Sequence, residues 1–91
     1  MLIAVAYDVR DDKRRTKLSD ALQNYGKRVQ LSVFECLLDE AQVERLREMV
    51  GRIIAAEEDT VRIYRLCGVC EPKVEVVGVG VRTEDPDVYI V

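Results

Sequence analysis

The 91-residue chain has no histidine, no tryptophan and a single phenylalanine. Without histidine, a pair of imidazoles for general acid–base hydrolysis is excluded, and a metal-activated water becomes the natural alternative for any hydrolytic chemistry. So few aromatic rings cannot build a platform for stacking bases, so contact with a nucleic acid would follow its backbone. The three cysteines, Cys36, Cys67 and Cys70, are an odd set and too few for a secreted disulfide framework. No apolar run approaches the roughly 20 residues of a membrane span, and no signal-peptide pattern is present. A cytoplasmic protein with no membrane contact is therefore expected. There is also no internal repeat, low-complexity tract or linker, which leaves one domain.

Apolar residues make up 48% of the chain, and the charged 34% is spread throughout, which marks a globular protein. A single domain of this size has a modest core, and a second subunit would add to the buried surface. The formal net charge of −3 hides an asymmetry. Residues 1–28 hold seven basic side chains against four acids, whereas the remainder holds seven against thirteen. Local potential decides where phosphates dock, so an acidic average does not exclude a polyanionic partner. The plainer reading of the basic end is a solvated helix face with paired charges.

The decade from Ala6 to Arg15 organises the chain. Before it, Leu2 to Ala6 is a nearly continuous apolar run, as expected of a central strand. After it, Leu18, Ala21, Leu22 and Tyr25 recur at helical spacing, and Gly26 closes the segment. Strand alternation puts Ile3, Val5 and Tyr7 on one face and Ala4, Ala6 and Asp8 on the other. Asp8 thus follows two small residues that leave room for an ion or a second subunit. Asp11 or Asp12 caps the helix. Arg14 and Arg15 extend its inward stripe at the end nearest Asp8, where the helix dipole does not favour cations.

Residues 28–38 form a second β region, in which Val29, Leu31, Val33 and Glu35 alternate with Arg28, Gln30, Ser32, Phe34 and Cys36. The pattern does not distinguish one bent strand from two short ones. Asp39 with Gln42 makes a capping box, and Leu38 can staple against Val43. Val43, Leu46, Val50, Ile53 and Ile54 form the buried stripe of the second helix. Thr60 to Leu66 is a strand and Cys67 to Pro72 a loop. Lys73 to Val79 is β-rich, and Val88 to Val91 is a last short strand after the Asp85-Pro86 turn. This order predicts an α+β, ferredoxin-like (split βαβ) sandwich, an antiparallel sheet with two helices on one face. Residues 1–79 would be the domain, and residues 80–91 a C-terminal strand extension for dimer or partner contact. The β-rich surplus from Lys73 onward is expected to add strands to a neighbouring subunit.

Several passages together resemble the second CRISPR-associated protein family, Cas-two. They are Tyr7-Asp8-Val9, the Asp11-Asp12 pair, Arg15, Gly26 to Gln30 with Ser32 to Glu35, Val61 to Tyr64, and Lys73 to Gly78. The resemblance covers nearly the whole chain in order. It implies a homodimer that acquires CRISPR spacers by bridging dimers of the integrase Cas-one on double-stranded DNA. It also implies magnesium-dependent endonuclease activity on DNA or single-stranded RNA, although catalysis is dispensable for spacer capture in some members. Asp8 matches the family's acidic metal ligand. Tyr7, Arg15, Arg28 and Phe34 match positions associated with nuclease activity in some members. Lys17 stands where some relatives carry Arg, keeping the charge but losing the planar fork.

The candidate catalytic residues are thus Tyr7, Asp8 and Phe34, with Asp8 as the magnesium ligand. The candidate nucleic-acid contacts are Arg14, Arg15, Lys17 and Arg28. One Asp8 per subunit is too little for a two-metal site, but a two-fold axis beside Ala4 and Ala6 would bring two together. The alternative for Asp8 is a carboxylate that caps the following turn. Cys67 and Cys70 are half a zinc site, a redox pair, or two incidental loop thiols, the plainest of the three. Outside the adaptation role, the alternatives are a toxin-like ribonuclease of the virulence-associated protein D type and a non-catalytic ligand-binding ferredoxin-like module.

Overall fold

The computed structural model describes residues 1–66 together with residues 75 and 77. The domain boundary expected at residue 79, the strand-exchanging tail, the β-rich run from Lys73, the Val88–Val91 strand and the Cys67–Cys70 pair lie outside the described residues, apart from Glu75 and Val77.

Strand β1, Leu2–Asp8, is the centre of the sheet. It pairs antiparallel with β3, Val33–Leu37, on one side and with β4, Thr60–Leu66, on the other. Strand β2, Gly26–Gln30, forms the outer edge, giving the order β2-β3-β1-β4. Ile3, Val5 and Tyr7 are buried in one cluster with Leu18 and Leu22 of helix α1, Asp12–Leu22, and with Val43, Leu46 and Val50 of helix α2, Glu40–Ile53. Both helices therefore cover one face of a four-stranded antiparallel sheet, the ferredoxin-like arrangement. Ala4, Ala6 and Asp8 face the other side, which no described element covers. No helix among the described residues is long and apolar enough to cross a membrane.

The caps follow the sequence. Asp11 precedes α1 and its Oδ2 accepts from the Arg14 amide at 2.9 Å. The Asp39 and Gln42 side chains each accept from the other's backbone N–H at 2.8 Å, completing the capping box of α2. Leu38 and Val43 lie in the same core, along with Phe34, which is wholly buried. Full burial of a side chain such as Phe34, Leu18 or Leu46 stabilises the fold by about 1.5–3 kcal/mol.

One local expectation is corrected, and one alternative left open by the pattern is decided. Gly26 does not stop α1, which ends at Leu22 with Gln23 as its C-cap; it opens β2 where that strand presses on β3. A Cβ at Gly26 would lie 2.2 Å from the Glu35 carbonyl oxygen and 2.6 Å from Cys36 Sγ, so the side chain is absent to allow the approach. Residues 28–38 are two strands, with a turn at Leu31-Ser32 and a register shift between Arg28 and Gln30. The turn and the bulge break the alternation read across them. Phe34 and Cys36 face the helices, whereas Leu31 is 87% exposed at the hairpin tip.

Candidate nucleic-acid and metal-binding surface

Asp8 ends β1 opposite Thr60 and is exposed, and its carboxylate makes no hydrogen bond or ion pair with the described residues. Its position is set by backbone pairing: β1 meets β4 in register from Leu2 to Asp8. Among the described residues, no three cysteine, aspartate or glutamate side chains converge on one point. Asp8 is thus one hard oxygen donor per chain. Magnesium takes one or two carboxylates and keeps several waters, so the donor type fits, and two symmetry-related copies would fit better than one.

Tyr7 and Phe34 face the opposite way. Tyr7 is 6% exposed and Phe34 is fully covered, with ring centroids 6.3 Å apart. The Tyr7 hydroxyl donates to the Leu31 carbonyl at 3.2 Å, and its amide donates to Ser32 O at 3.0 Å. Tyr7 thus clasps the β2–β3 turn, and the chemistry of its hydroxyl is directed inward.

The four candidate cations divide by partner. Arg14 is forked onto Asp59 and also reaches Glu58 at 2.9 Å, which raises its pKa further. Arg15 pairs with Asp12, one turn back, and donates to the Val9 carbonyl at 3.1 Å, beside Asp8 in the chain. Lys17 is exposed on α1 with no ion pair among the described residues. Arg28, on the edge strand, donates to Ser19 Oγ and lies with its guanidinium carbon 5.6 Å from the centroid of Phe34. The structure therefore brings Arg15 towards the end of β1, sets Arg28 at the other edge of α1, and turns Arg14 towards the start of β4.

Three residues escaped the sequence reading. Asp59 reads as the end of an acidic run, yet it is buried and accepts from the Arg14 side chain and the Ala55 amide. No local pattern marks that burial. Arg62 pairs in register with Ala6, so it stands on the face that carries Asp8, and the Tyr64 hydroxyl 3.4 Å away raises its pKa. Alternation along β4 separates Arg62 from Val61 and Ile63, but only the register joins it to Asp8. Ser19 is 6% exposed within the inward stripe of α1. Its adjacency to Leu18 gives no sign of the arginine it meets.

Comparison with known proteins agrees with this geometry. Residues 1–74 match the family model described as CRISPR associated protein Cas2. The chain is 49% identical over 89 residues to the CRISPR-associated endonuclease Cas2 2 of Thermus thermophilus, spanning 98% of this chain and 94% of that protein. It is 42% identical to the CRISPR-associated endoribonuclease Cas2 1 of Chloroflexus aurantiacus, along the full length of both. A chain of a solved partial Cas6-RT-Cas1–Cas2 complex superposes with a TM-score of 0.71 at 34% identity, covering 84% of this chain and 89% of that one. The fold, the family model and the near full-length relatives coincide, and the chain belongs to the CRISPR-associated Cas2 family.

Proposed function

We propose that this chain is a homodimeric component of CRISPR spacer acquisition that bridges dimers of the integrase Cas1 on duplex DNA. We further propose that its paired Asp8 carboxylates hold magnesium for an endonuclease activity. The observation that carries the second part is Asp8 itself, an exposed carboxylate without a partner among the described residues, at the end of a strand paired with β4 along its whole length. The complex containing Cas1 and Cas2 supports the first part, and the relatives named endonuclease and endoribonuclease support the second. Single-stranded RNA is the second substrate class to be tried.

In this reading Ala4 and Ala6 admit a second copy, and the two-fold axis brings the Asp8 carboxylates near each other. At close range they repel, and a divalent cation relieves that repulsion. Magnesium held there would supply Lewis acidity towards a phosphodiester. Arg15, Lys17 and Arg28 would bind backbone phosphates without reading sequence, since Arg forks suit phosphate and Lys serves as a point charge. Arg14, already forked onto Asp59, is left out of that contact set.

The test is Asp8→Asn, which keeps the shape and removes the charge. Cleavage in the presence of magnesium should fall by roughly a thousandfold or more, while folding and dimerisation persist. Array expansion in cells should also persist if bridging is the role that acquisition requires. Wild-type cleavage by the variant would overturn the metal site, and lost acquisition with intact assembly would favour the enzyme over the bridge.

A further inference from the structure

We propose that Ser19 positions Arg28 for phosphate contact, over the ring of Phe34, and that neither Ser19 nor Phe34 touches nucleic acid itself. This rests on the reading of Arg28 as a backbone contact and names what makes it effective.

The three candidate arginines, Arg14, Arg15 and Arg28, are held by different chemistries. Arg14 is neutralised by Asp59 and Glu58, and Arg15 by Asp12. Arg28 is held by a hydroxyl and a π face, both uncharged. Among the described residues no carboxylate forms an ion pair with it. Its orientation is therefore fixed without cancelling its charge, and of its five N–H donors those not given to Ser19 remain for an anion. A free arginine loses considerable rotamer entropy when it binds; one already held between a hydroxyl and a ring loses less.

The two partners are themselves unable to reach a ligand. Phe34 has no exposed surface, and Ser19 is 6% exposed. Alanine would fill the Ser19 position with better helix propensity, so the hydroxyl is explained by what it accepts. The Tyr7 clasp on Leu31 steadies the same hairpin, since β2 has a neighbour only along its β3 edge within the described sheet. Any effect of Phe34 on nucleic-acid binding then passes through the guanidinium resting on it.

The experiment is a double-mutant cycle on the full chain, measuring affinity for a short DNA duplex of arbitrary sequence across salt concentrations. Ser19→Ala should weaken binding several-fold and move the salt slope towards that of Arg28→Ala. Ser19→Thr, which keeps the hydroxyl, should recover it. In the Arg28→Ala background Ser19→Ala should add nothing. Phe34→Leu, which removes the ring face, should follow the same pattern and serves if Ser19→Ala proves poorly folded. Wild-type binding by Ser19→Ala, with Arg28→Ala still weakened, would overturn the positioning role and leave the phosphate contact standing. Additive losses in the double variant would overturn it too, as would a lowered melting temperature with unchanged binding. Wild-type affinity and salt slope in Arg28→Ala would overturn the phosphate contact and this inference with it.

Discussion

Arg14 Nε donates to Asp59 Oδ2 at 2.8 Å, and Nη2 of the same guanidinium reaches Oδ1 at 3.2 Å. This fork ties the first turn of α1 to the residue before β4. Asp59 also accepts from the Ala55 amide at 2.9 Å and from the Arg10 amide at 3.4 Å, and its side chain has no exposed surface. The Arg14 hydrogen bonds, helped by the Ala55 amide, pull its pKa from an ordinary 3.8 down to about 2, against burial, which pushes the other way.

Because the folded value lies below the unfolded one, the stability that Asp59 contributes is whole above about pH 4 and is lost as pH falls towards 2. Melts across that range should show a falling acid limb in the wild type and a shallower one in Asp59→Asn. Parallel limbs would show that the Arg14–Asp59 fork is not what acid breaks.

Arg14 and Arg15 are adjacent in sequence and should separate in function. Arg14→Ala should lower the melting temperature and leave the salt dependence of duplex binding unchanged. Arg15→Ala should do the reverse, reducing the salt slope by about 0.9, the share of a single phosphate. The Arg15–Asp12 pair is exposed, and such pairs contribute only about 0–1 kcal/mol, so a phosphate can displace it at little expense. Binding titrations and thermal melts on the two variants check both halves.

Two glycines should respond to alanine with opposite sign. Gly26→Ala drives a methyl into the Glu35 carbonyl and Cys36 Sγ and should destabilise by about 1–3 kcal/mol or more. Gly51→Ala, in α2, meets nothing within 4 Å and should stabilise by about 0.5–1 kcal/mol. Urea denaturation midpoints decide the pair.

Deleting residues 80–91 should weaken the dimer or its binding to the integrase, if the tail adds strands to a neighbour. Sedimentation of the truncated chain, alone and with Cas1, is the measurement. A truncated chain that remains a dimer and binds Cas1 normally would refute the exchange.

The sequence made the helices legible because their signals are local. The Asp39–Gln42 box and the Leu18 and Leu22 spacing each lie within a turn or two. The inward and outward faces of β1 were equally readable, since Ala4 and Ala6 alternate strictly with Val5 and Tyr7. The hairpin was not, because its turn at Leu31-Ser32 contains neither glycine nor proline and its bulge shifts the period. Among the site residues, the place of Asp8 followed from the end of an apolar run. The division of labour among the arginines did not, because each partner of the Arg14 guanidinium is more than 40 residues away in sequence.

The pairing of β1 along both of its edges also decides how each candidate group moves in time. Strand amides bonded on two sides exchange with solvent only when much of the domain opens, whereas an edge strand with a bulge can open by itself. Asp8 lies just past that doubly paired stretch, held by Thr60 on the β4 side, so its place depends on the strand centre staying closed. Arg28 sits on a strand that can breathe independently of that centre. Opening of the β2 edge would release Arg28 from Ser19 and Phe34 and leave Asp8 where it stands, so the base and the acid would be lost in separate events.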